Sequence, residues 1–356
     1  MKKRQANFEV LRVAAMAMIV AMHFMNRGNI LKPLTEDTSA VNCAAWAIEA
    51  FCIVAANCYV LIAGYFMVTA EWKAKKVWTL LLQILFYSLL IPLLCMIFNI
   101  GTVREWSVYE WITAVLPLQM DHYWFATAYM LVFVLSPVLA AGVKQLSGKQ
   151  LKTVIGVLLI YFCLFKTIVP LNLATDRFGY DFPWFICMFL IAAYIRLYGD
   201  QGQGIRIGKI SLFRNKKSSG ISYVLLSVLI FLFSLGLGAV NRRVHVLDHY
   251  MNMVYSYNHI LVLLSSLALF YVFLYWKPKE GKFVRSLTKI APYTFGVYLL
   301  HENVAVRNLW TGWFGVEKVE SSFLFIPLMA VAIAVVMAVG MTVDFIRKKL
   351  FSLILK

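Results

Sequence analysis

The sequence has few charged residues, and acidic residues are especially scarce. Only 14% of its 356 residues are Asp, Glu, Lys or Arg, whereas 62% are hydrophobic. A soluble domain is nearer one quarter charged and one half apolar, so this composition excludes an ordinary soluble protein. Lys and Arg number 34 against 17 acidic residues. In a membrane protein, such an excess is typical of cytoplasmic loops that face anionic lipid. No nucleic-acid motif occurs, so membrane lipid is expected as a partner and nucleic acid is not.

Cysteine is also scarce, and its placement excludes two further classes of protein. The six cysteines form no CxxC pair, and all lie in or beside apolar segments. A disulfide framework and a cysteine metal site are therefore excluded, and we expect no metal. A polar domain is lacking too. The longest inner loop, about residues 198–220, is rich in Gly, Lys and Ser and predicts a flexible connector. We therefore expect one integral-membrane domain over residues 1–356.

Apolar runs long enough to cross a bilayer account for most of the chain. They predict an all-α polytopic membrane helix bundle with about ten transmembrane helices. With the N-terminus inside, the inner loops carry more than twice as many Lys and Arg residues as the outer loops, so both termini are expected to be cytoplasmic. The ten runs are 8–26, 43–69, 77–99, 122–142, 152–170, 182–198, 221–240, 252–276, 289–309 and 322–345.

The first apolar run contains two ionisable residues, Arg12 and His23. They are eleven residues apart, which on a helix is about three turns, a rise of about 16 Å and an angle of roughly 20°. Both side chains therefore lie on nearly one face, with Arg12 toward the cytoplasm. Ionisable residues at such depth are candidates for function. The alternative is an arginine that reaches the membrane edge and a histidine packed between helices.

These two residue types favour a particular chemistry. The planar guanidinium of Arg12 matches an anion from the cytosol, with phosphate the best fit. A histidine in a desolvated cavity is neutral near pH 7, and neutral imidazole is what a general base requires. The pair predicts a reaction between an anionic cytosolic donor and an acceptor from the opposite side.

Four further stretches contain residues that suit the same chemistry. Gly64 beside Tyr65 allows helices to approach closely. The basic loop that follows has two interpretations, a topology signal alone or a phosphate site formed by Lys73 and Lys76. His122 and Trp124 begin the fourth run, where they fit either an aromatic belt or a lip that binds the acceptor. His301 lies inside the ninth run with Glu302 beside it.

Together these stretches resemble the integral-membrane acyltransferase family of type three, over nearly the whole chain. The most specific motif is an Arg and a His separated by ten residues in the first span, matched by Arg12 and His23. An SGY-type motif loses its serine here, and a basic pair has Lys where the family usually has Arg. The remaining matches are Ala63, Gly64 and Tyr65; Lys73 and Lys76; His122, Trp124 and Phe125; and Gly296, Tyr298, Leu299 and His301.

The resemblance implies an O-acyltransferase of the bacterial plasma (inner) membrane. The acyl group, usually acetyl, would pass from cytosolic acyl-coenzyme A, such as acetyl-CoA, to a hydroxyl of a surface glycan or lipid-linked precursor. Arg12, Lys73 and Lys76 would bind the donor, and His23 would act as general base or carry the acyl group. His122, Trp124, His301 and Tyr65 would line the substrate site. The alternative is a transporter or flippase, because buried ionisable residues also mark transport paths. The oligomeric state has no signal in the sequence.

Overall fold

Long apolar runs of the sequence become long helices in the structure. A computed structural model describes residues 5–120, 122–169, 177–199, 204–207, 210–279 and 281–354. Residues 1–4, which the charge count assigns to the cytoplasm, lie outside this range. The α-helices are α1 Ala6–Arg27, α2 Ala40–Cys52, α3 Ala55–Met67, α4 Ala74–Phe98, α5 Val108–Val115, α6 Trp124–Gln145, α7 Gly148–Leu159, α8 Lys166–Ile168, α9 Phe182–Tyr198, α10 Lys216–Val244, α11 Asp248–Met253, α12 Ile260–Tyr275, α13 Lys282–Ile290, α14 Thr294–His301 and α15 Phe325–Ile354.

Short elements complete the chain between these helices. A π-helical segment joins α7 to α8. One 3-10 turn follows α4, one follows α13, and two lie between α14 and α15. The π-helical segment is Ile160–Phe165, and the 3-10 turns are Val103–Glu105, Ala291–Tyr293, Gly312–Phe314 and Val316–Lys318. Two short strands, β1 Ile205–Ile207 and β2 Ile210–Leu212, pair antiparallel.

Within the described residues, seven helices are long and apolar enough to cross a membrane. They comprise α1, α2 with α3, α4, α6, α7 with α8, α10 and α15, and two shorter apolar helices are α9 and α12. Each of these nine overlaps one predicted run. The protein is therefore a helical membrane protein, while the number of spans and the location of the termini stay predictions.

The ninth predicted run is not one continuous helix. The chain instead forms the exposed basic helix α13, a 3-10 turn, and the short buried helix α14, which ends at His301. The polar residues Glu302 and Asn303 follow in a turn. Their side chains bond to other helices: the Asn303 amide donates to the backbone oxygen of Tyr87 at 3.1 Å. Polar groups need such partners in an apolar interior. The backbone leaves the helical conformation after His301, and these side chains reach their partners.

Helix ends follow from local sequence. The Ser39 hydroxyl accepts a hydrogen bond from the Asn42 backbone N–H and begins α2. Asp181 caps α9 in the same way through the N–H of Trp184. Asn99 ends α4 in the left-handed conformation, with φ 56°. Side-chain caps and a left-handed terminal residue satisfy backbone groups that the helix itself leaves unpaired.

The helix α1 lies at the centre of the bundle. In its apolar window 61% of residues are buried, second among the seven candidate spans to α2 with α3 at 72%, against 17% for α7 with α8 and 22% for α10. It packs against α2, α3, α12, α13, α14 and α15. The first run of the sequence is therefore surrounded by protein, which is what allows it to carry ionisable residues inside a membrane.

The loop after α9 differs from the prediction of a flexible connector. Within residues 204–207 and 210–212 it forms a hairpin in which Ile205 pairs with Leu212 and Arg206 pairs with Ser211. Phe213 follows the second strand, is 4% exposed, and packs its ring 5.6 Å from that of Tyr271. Burial of this one aromatic ring attaches the hairpin to α12, which composition alone does not predict.

Gly64 is the point at which α3 and α9 approach closely, as the sequence predicts. A Cβ at this position would lie 3.0 Å from both the Phe189 Cα and the Ala192 Cβ. Because Phe189 contributes backbone atoms here, the contact has no flexible side chain to relieve it.

We expect Gly64→Ala to lower the free energy of unfolding by about 1–3 kcal/mol, as overpacked cores do. The measurement is the thermal unfolding midpoint of the purified protein in detergent. The matched control is Gly236→Ala on α10, where an added Cβ meets no atom within 4 Å. That control should be neutral or stabilising by up to about 1 kcal/mol from helix propensity. Equal effects of the two substitutions would contradict the close contact.

Candidate active site

Arg12 borders a cavity at the inner end of the bundle, the end at which α1 begins and α3 ends. The cavity has a volume of about 260 Å³, and Tyr59, Ala63 and Gln83 contribute to its wall. The Arg12 guanidinium lies 2.8 Å from a carboxylate oxygen of Glu9, one helical turn earlier. The Arg12 side chain remains 28% exposed. A cation held on the wall of a cavity in this way can bind an incoming anion.

His23 borders a second, narrow cavity of about 20 Å³, deeper along α1. This volume accommodates about one water-sized group. The two cavities share three wall residues, Tyr59, Phe125 and Phe295. Arg12 and His23 therefore face adjoining parts of one passage, which agrees with the face that their spacing predicts.

The His23 ring contacts His301, which α14 carries to the same depth. His23 Nδ1 lies 2.9 Å from His301 Nε2, and His301 Nδ1 lies 2.6 Å from the Val297 backbone oxygen. A carbonyl oxygen only accepts, so His301 Nδ1 is the donor to Val297. In a neutral ring, that leaves His301 Nε2 as an acceptor.

The direction of the hydrogen bond between the rings follows from this tautomer. His23 Nδ1 must donate its N–H to His301 Nε2, and His23 Nε2 then keeps its lone pair. Hydrogen positions are assigned here from the bonding partners. The arrangement leaves His23 with a basic nitrogen and orients the ring, as second partners do for catalytic histidines.

Glu302 supplies a negative charge beside this ring pair, and Arg27 holds the carboxylate in place. One oxygen of Glu302 is 3.3 Å from His23 Nδ1. Arg27 binds both carboxylate oxygens, with its Nε and one terminal nitrogen each at 3.0 Å. Its other terminal nitrogen donates to the Asn308 side-chain oxygen at 2.6 Å. If His23 takes up a proton at Nε2, the Glu302 carboxylate stabilises the resulting imidazolium.

Glu302 and Arg27 are the two residues that sequence reasoning missed. Arg27 is one of the Lys and Arg residues that the charge count assigns to the outer loops, but it lies four residues after His23 and hence on the same helix face. Glu302 was noted beside His301, but its partner is 275 residues away. The i, i+4 spacing of His23 and Arg27 is the sequence signal that identifies Arg27 as a neighbour of His23.

A buried polar cluster supports the wall of the Arg12 cavity. The Asp344 carboxylate on α15 accepts hydrogen bonds from Gln83 at 2.9 Å and from Tyr87 at 3.2 Å. It also pairs with Arg347 at 2.7 Å. At Gly296, an added Cβ would lie 2.5 Å from the Asp344 Cβ. Gly296 therefore lets α14 approach α15, and His301 follows about one and a half turns further along α14.

Of the other predicted site residues, some line these two cavities and some lie elsewhere in the structure. Trp124 lines the His23 cavity. Lys76 lies at the inner end in a separate groove, and Lys73 pairs with Glu71 at 3.1 Å. Tyr65 accepts a hydrogen bond from Arg196 at 3.0 Å, away from His23.

His122 is 3% exposed, and its Nε2 lies 3.4 Å from the Val304 backbone nitrogen. It lines neither the Arg12 cavity nor the His23 cavity. The structure thus brings Arg12, His23 and Trp124 to one passage, with His301 buried against His23. The functional roles of all the predicted residues stay predictions.

The same cluster offers the donor atoms of a metal site. Among the described residues, His23, His301 and Glu302 present ligand atoms that lie within 4.8 Å of one another. However, Arg27 already occupies both oxygens of Glu302, and a divalent cation would be placed beside this fixed positive charge. The donor set therefore fits a proton-transfer cluster better than a metal centre.

Comparison with known proteins identifies the family. A family model described as an acyltransferase domain, of the acyltransferase 3 family, matches residues 5–344. The chain belongs to the acyltransferase 3 family. No curated protein and no solved structure gives a match. Membership of this family and the apolar helices make the chain a membrane acyltransferase in general terms.

We expect Glu302→Gln to lower acyltransferase kcat by about a hundredfold or more, because the imidazolium of His23 loses its counter-charge. Glutamine keeps the size of the side chain but loses the ion pair with Arg27, so kcat is expressed per folded protein and the unfolding midpoint is measured beside it. The matched control is Glu317→Gln, at an exposed glutamate of the outer loops, which should act at the wild-type rate. A Glu302→Gln protein with unchanged kcat would contradict the role assigned to this carboxylate.

Proposed function

We propose that the chain is an O-acyltransferase that moves an acyl group, most simply acetyl, from cytosolic acyl-coenzyme A to a hydroxyl of a cell-surface glycan or its lipid-linked precursor. Its location would be the bacterial plasma membrane. One observation carries the proposal: an oriented histidine, His23, borders a cavity that adjoins a second cavity holding Arg12. An anionic donor and a hydroxyl acceptor are the two reactants that such a pair serves.

The donor enters from the inner end in this proposal. The Arg12 side chain is the cation that borders its path, and it is paired with Glu9 at 2.8 Å. A phosphate of the donor would share or replace this partner, since guanidinium binds phosphate in a bidentate manner. Tyr59 fixes the backbone at this point, because its hydroxyl lies 2.9 Å from the Arg12 backbone oxygen.

The acceptor enters from the outer end, past aromatic rings. Trp124 and Tyr257 both line the His23 cavity and stack with their centroids 5.6 Å apart. Tyr180 packs 4.7 Å from Trp124 and is 37% exposed, so the aromatic cluster reaches the surface. Aromatic faces that are partly wet suit the apolar faces of sugar rings. The narrow cavity admits a hydroxyl and excludes bulk water.

The transfer itself balances with the groups present. His23 Nε2 removes the proton of the acceptor hydroxyl as its oxygen attacks the thioester carbonyl. The carbon–oxygen bond forms, the carbon–sulfur bond breaks, and the proton passes from His23 to the departing thiolate. His301 and Glu302 keep the His23 Nδ1–H in place throughout. The same free nitrogen also permits the other route, in which His23 itself carries the acyl group between donor and acceptor.

The test is an ester-formation assay in which the purified protein is incubated with labelled acetyl-coenzyme A and candidate glycan acceptors. We expect ester formation by the wild type and a loss of about a hundred- to ten-thousand-fold for His23→Ala, the usual contribution of a general base. The control is His245→Asn, at an exposed histidine whose left-handed backbone Asn tolerates. Recovery of labelled His23 after a rapid quench in denaturant near neutral pH, where an acyl-imidazole is not activated by protonation, distinguishes the acyl-carrier route from direct transfer. Wild-type ester formation by His23→Ala would overturn the proposal.

The passage also favours a second candidate, a transporter or flippase, because adjoining cavities that run along α1 resemble a transport path. The discriminating measurement is uptake of the same acceptor into sealed vesicles. Uptake without acyl turnover supports transport, and acyl turnover that requires His23 supports the enzyme.

Because Arg27 occupies Glu302, we expect the activity to survive removal of divalent metal ions. The measurement is acyl transfer after dialysis against a chelator, with metal content checked in parallel. A loss of activity that added Zn²⁺ restores would contradict the proton-transfer assignment. It would then favour a metal at His23, His301 and Glu302.

A further inference from the structure

Glu49, on α2, is a buried acidic residue that the mechanism above does not use. Its side chain is 9% exposed, and its Oε2 atom has no hydrogen-bond partner among the residues that the structure describes. Within the same residues, no cation pairs with it. A buried carboxyl group is costly unless it is paired, and an ionisable residue inside a membrane-spanning segment is a candidate for function. Glu49 therefore lacks the partner that its burial requires.

The position of Glu49 along its helix places it on the face that borders the passage. The helices α2 and α3 form one candidate span, and the two residues between them keep right-handed helical angles. Residues seven apart on such a helix lie on one face, about 10 Å and roughly 20° from each other. Ala56 lines the His23 cavity, and Ala63 lines the Arg12 cavity. Glu49 precedes Ala56 by seven residues, so it extends the same face toward the outer end.

The Glu49 carboxyl group also lies beside the aromatic cluster at the mouth of the His23 cavity. It is close enough to the hydroxyls of Tyr180 and Tyr257 to act on both electrostatically. Tyr257 lines the cavity, and Tyr180 is 37% exposed. The rings of Tyr180 and Tyr257 lie 4.6 Å apart, and Trp124 lies 4.7 Å from Tyr180. An acceptor that reaches His23 past these rings therefore passes the unpaired acid.

We propose that Glu49 binds the acceptor by accepting hydrogen bonds from hydroxyls of an uncharged sugar ring that packs against Tyr180 and Trp124. The assignment rests on the proposed function, which supplies a glycan acceptor. A carboxylate has two oxygens and only accepts, so neighbouring hydroxyls of one ring satisfy it. This ring lies outward of the hydroxyl that reaches His23, because Glu49 is about two helical turns further out than Ala56.

The charge of Glu49 makes it a residue that determines specificity. An acidic sugar would place a second negative charge beside the carboxylate in a site of low dielectric constant, which is unfavourable. An ammonium group would require aromatic faces that are open toward it, but the rings of Trp124 and Tyr257 stack on each other with an interplanar angle of 26°. The site therefore selects neutral sugars.

The test is binding of three methyl glycosides, without donor, to the purified full-length protein in zwitterionic nanodiscs, followed by saturation-transfer NMR titration. Methyl glucoside is neutral, methyl glucuronide is acidic and methyl glucosaminide is basic. The wild type should bind the neutral glycoside most tightly. Glu49→Ala should weaken that binding about ten- to hundredfold, the effect of losing a hydrogen bond to a charged group. Glu49→Gln should lose the discrimination against the acidic glycoside.

The matched control is Glu36→Ala, at an exposed glutamate of the loop before α2, which should bind all three glycosides as the wild type does. The unfolding midpoint is measured for each variant. Because Glu49→Ala removes an unpaired acid, its midpoint should not fall. An equal loss of binding for all three glycosides, together with a lower midpoint, would show that Glu49 acts on packing and would contradict the assignment.

The other contrary results separate this site from the proposed function. If Glu49→Ala binds the neutral glycoside as tightly as the wild type, or if the wild type binds none of the three, the sugar site is wrong, while ester formation by the wild type keeps the proposed function. If the wild type prefers methyl glucosaminide and Glu49→Ala abolishes that preference, the site binds an ammonium group and the proposal is overturned. Glycoside binding that requires Glu49, in a protein that forms no ester, supports the sugar site and contradicts the acyl transfer.

Discussion

The ion pair of Arg27 and Glu302 is the interaction on which the candidate site depends. The Glu302 carboxylate is 7% exposed, and a buried charge is stable only when it is paired and hydrogen-bonded. Arg27 meets both oxygens, so the carboxylate remains charged beside His23. Breaking such a pair by removing one partner typically costs about 3–5 kcal/mol. The pair therefore fixes the outer end of α1 to the turn after α14, and that attachment brings His23 and His301 within 2.9 Å.

The position of α1 among the other helices places its ionisable residues beside a passage through the bundle. Because α1 is surrounded by protein, Arg12 and His23 face cavities between helices. The cavities follow successive turns of α3 and α6, from the end of the bundle at which α1 begins to the aromatic rings beside His23. Charge at one end and aromatic surface at the other match a phosphate-bearing donor and a sugar acceptor. In the proposed function, the acyl transfer takes place in the narrow part, beside His23.

Much of this arrangement could be predicted from periodicity and motif order. The eleven-residue spacing places Arg12 and His23 on one face whatever the surrounding fold, and the apolar runs overlap the long helices. The pairing of Arg27 with Glu302 could not be predicted from the sequence, because it joins residues 275 positions apart. Likewise, the rotation of the loop after α3 decides that Lys76 faces the groove while Lys73 meets Glu71. The direction in which each lysine side chain faces depends on tertiary packing, which a single sequence does not contain.

The central claim is that His23 carries its proton on Nδ1, toward His301 and Glu302, and keeps Nε2 free as the base. Solid-state nitrogen NMR of the protein labelled at histidine nitrogen in lipid measures this directly, with His23→Gln assigning the resonance. The account predicts a neutral His23 protonated at Nδ1, whose Nδ1 shift changes in Glu302→Gln. A neutral His23 protonated at Nε2, with shifts indifferent to Glu302→Gln, would contradict it.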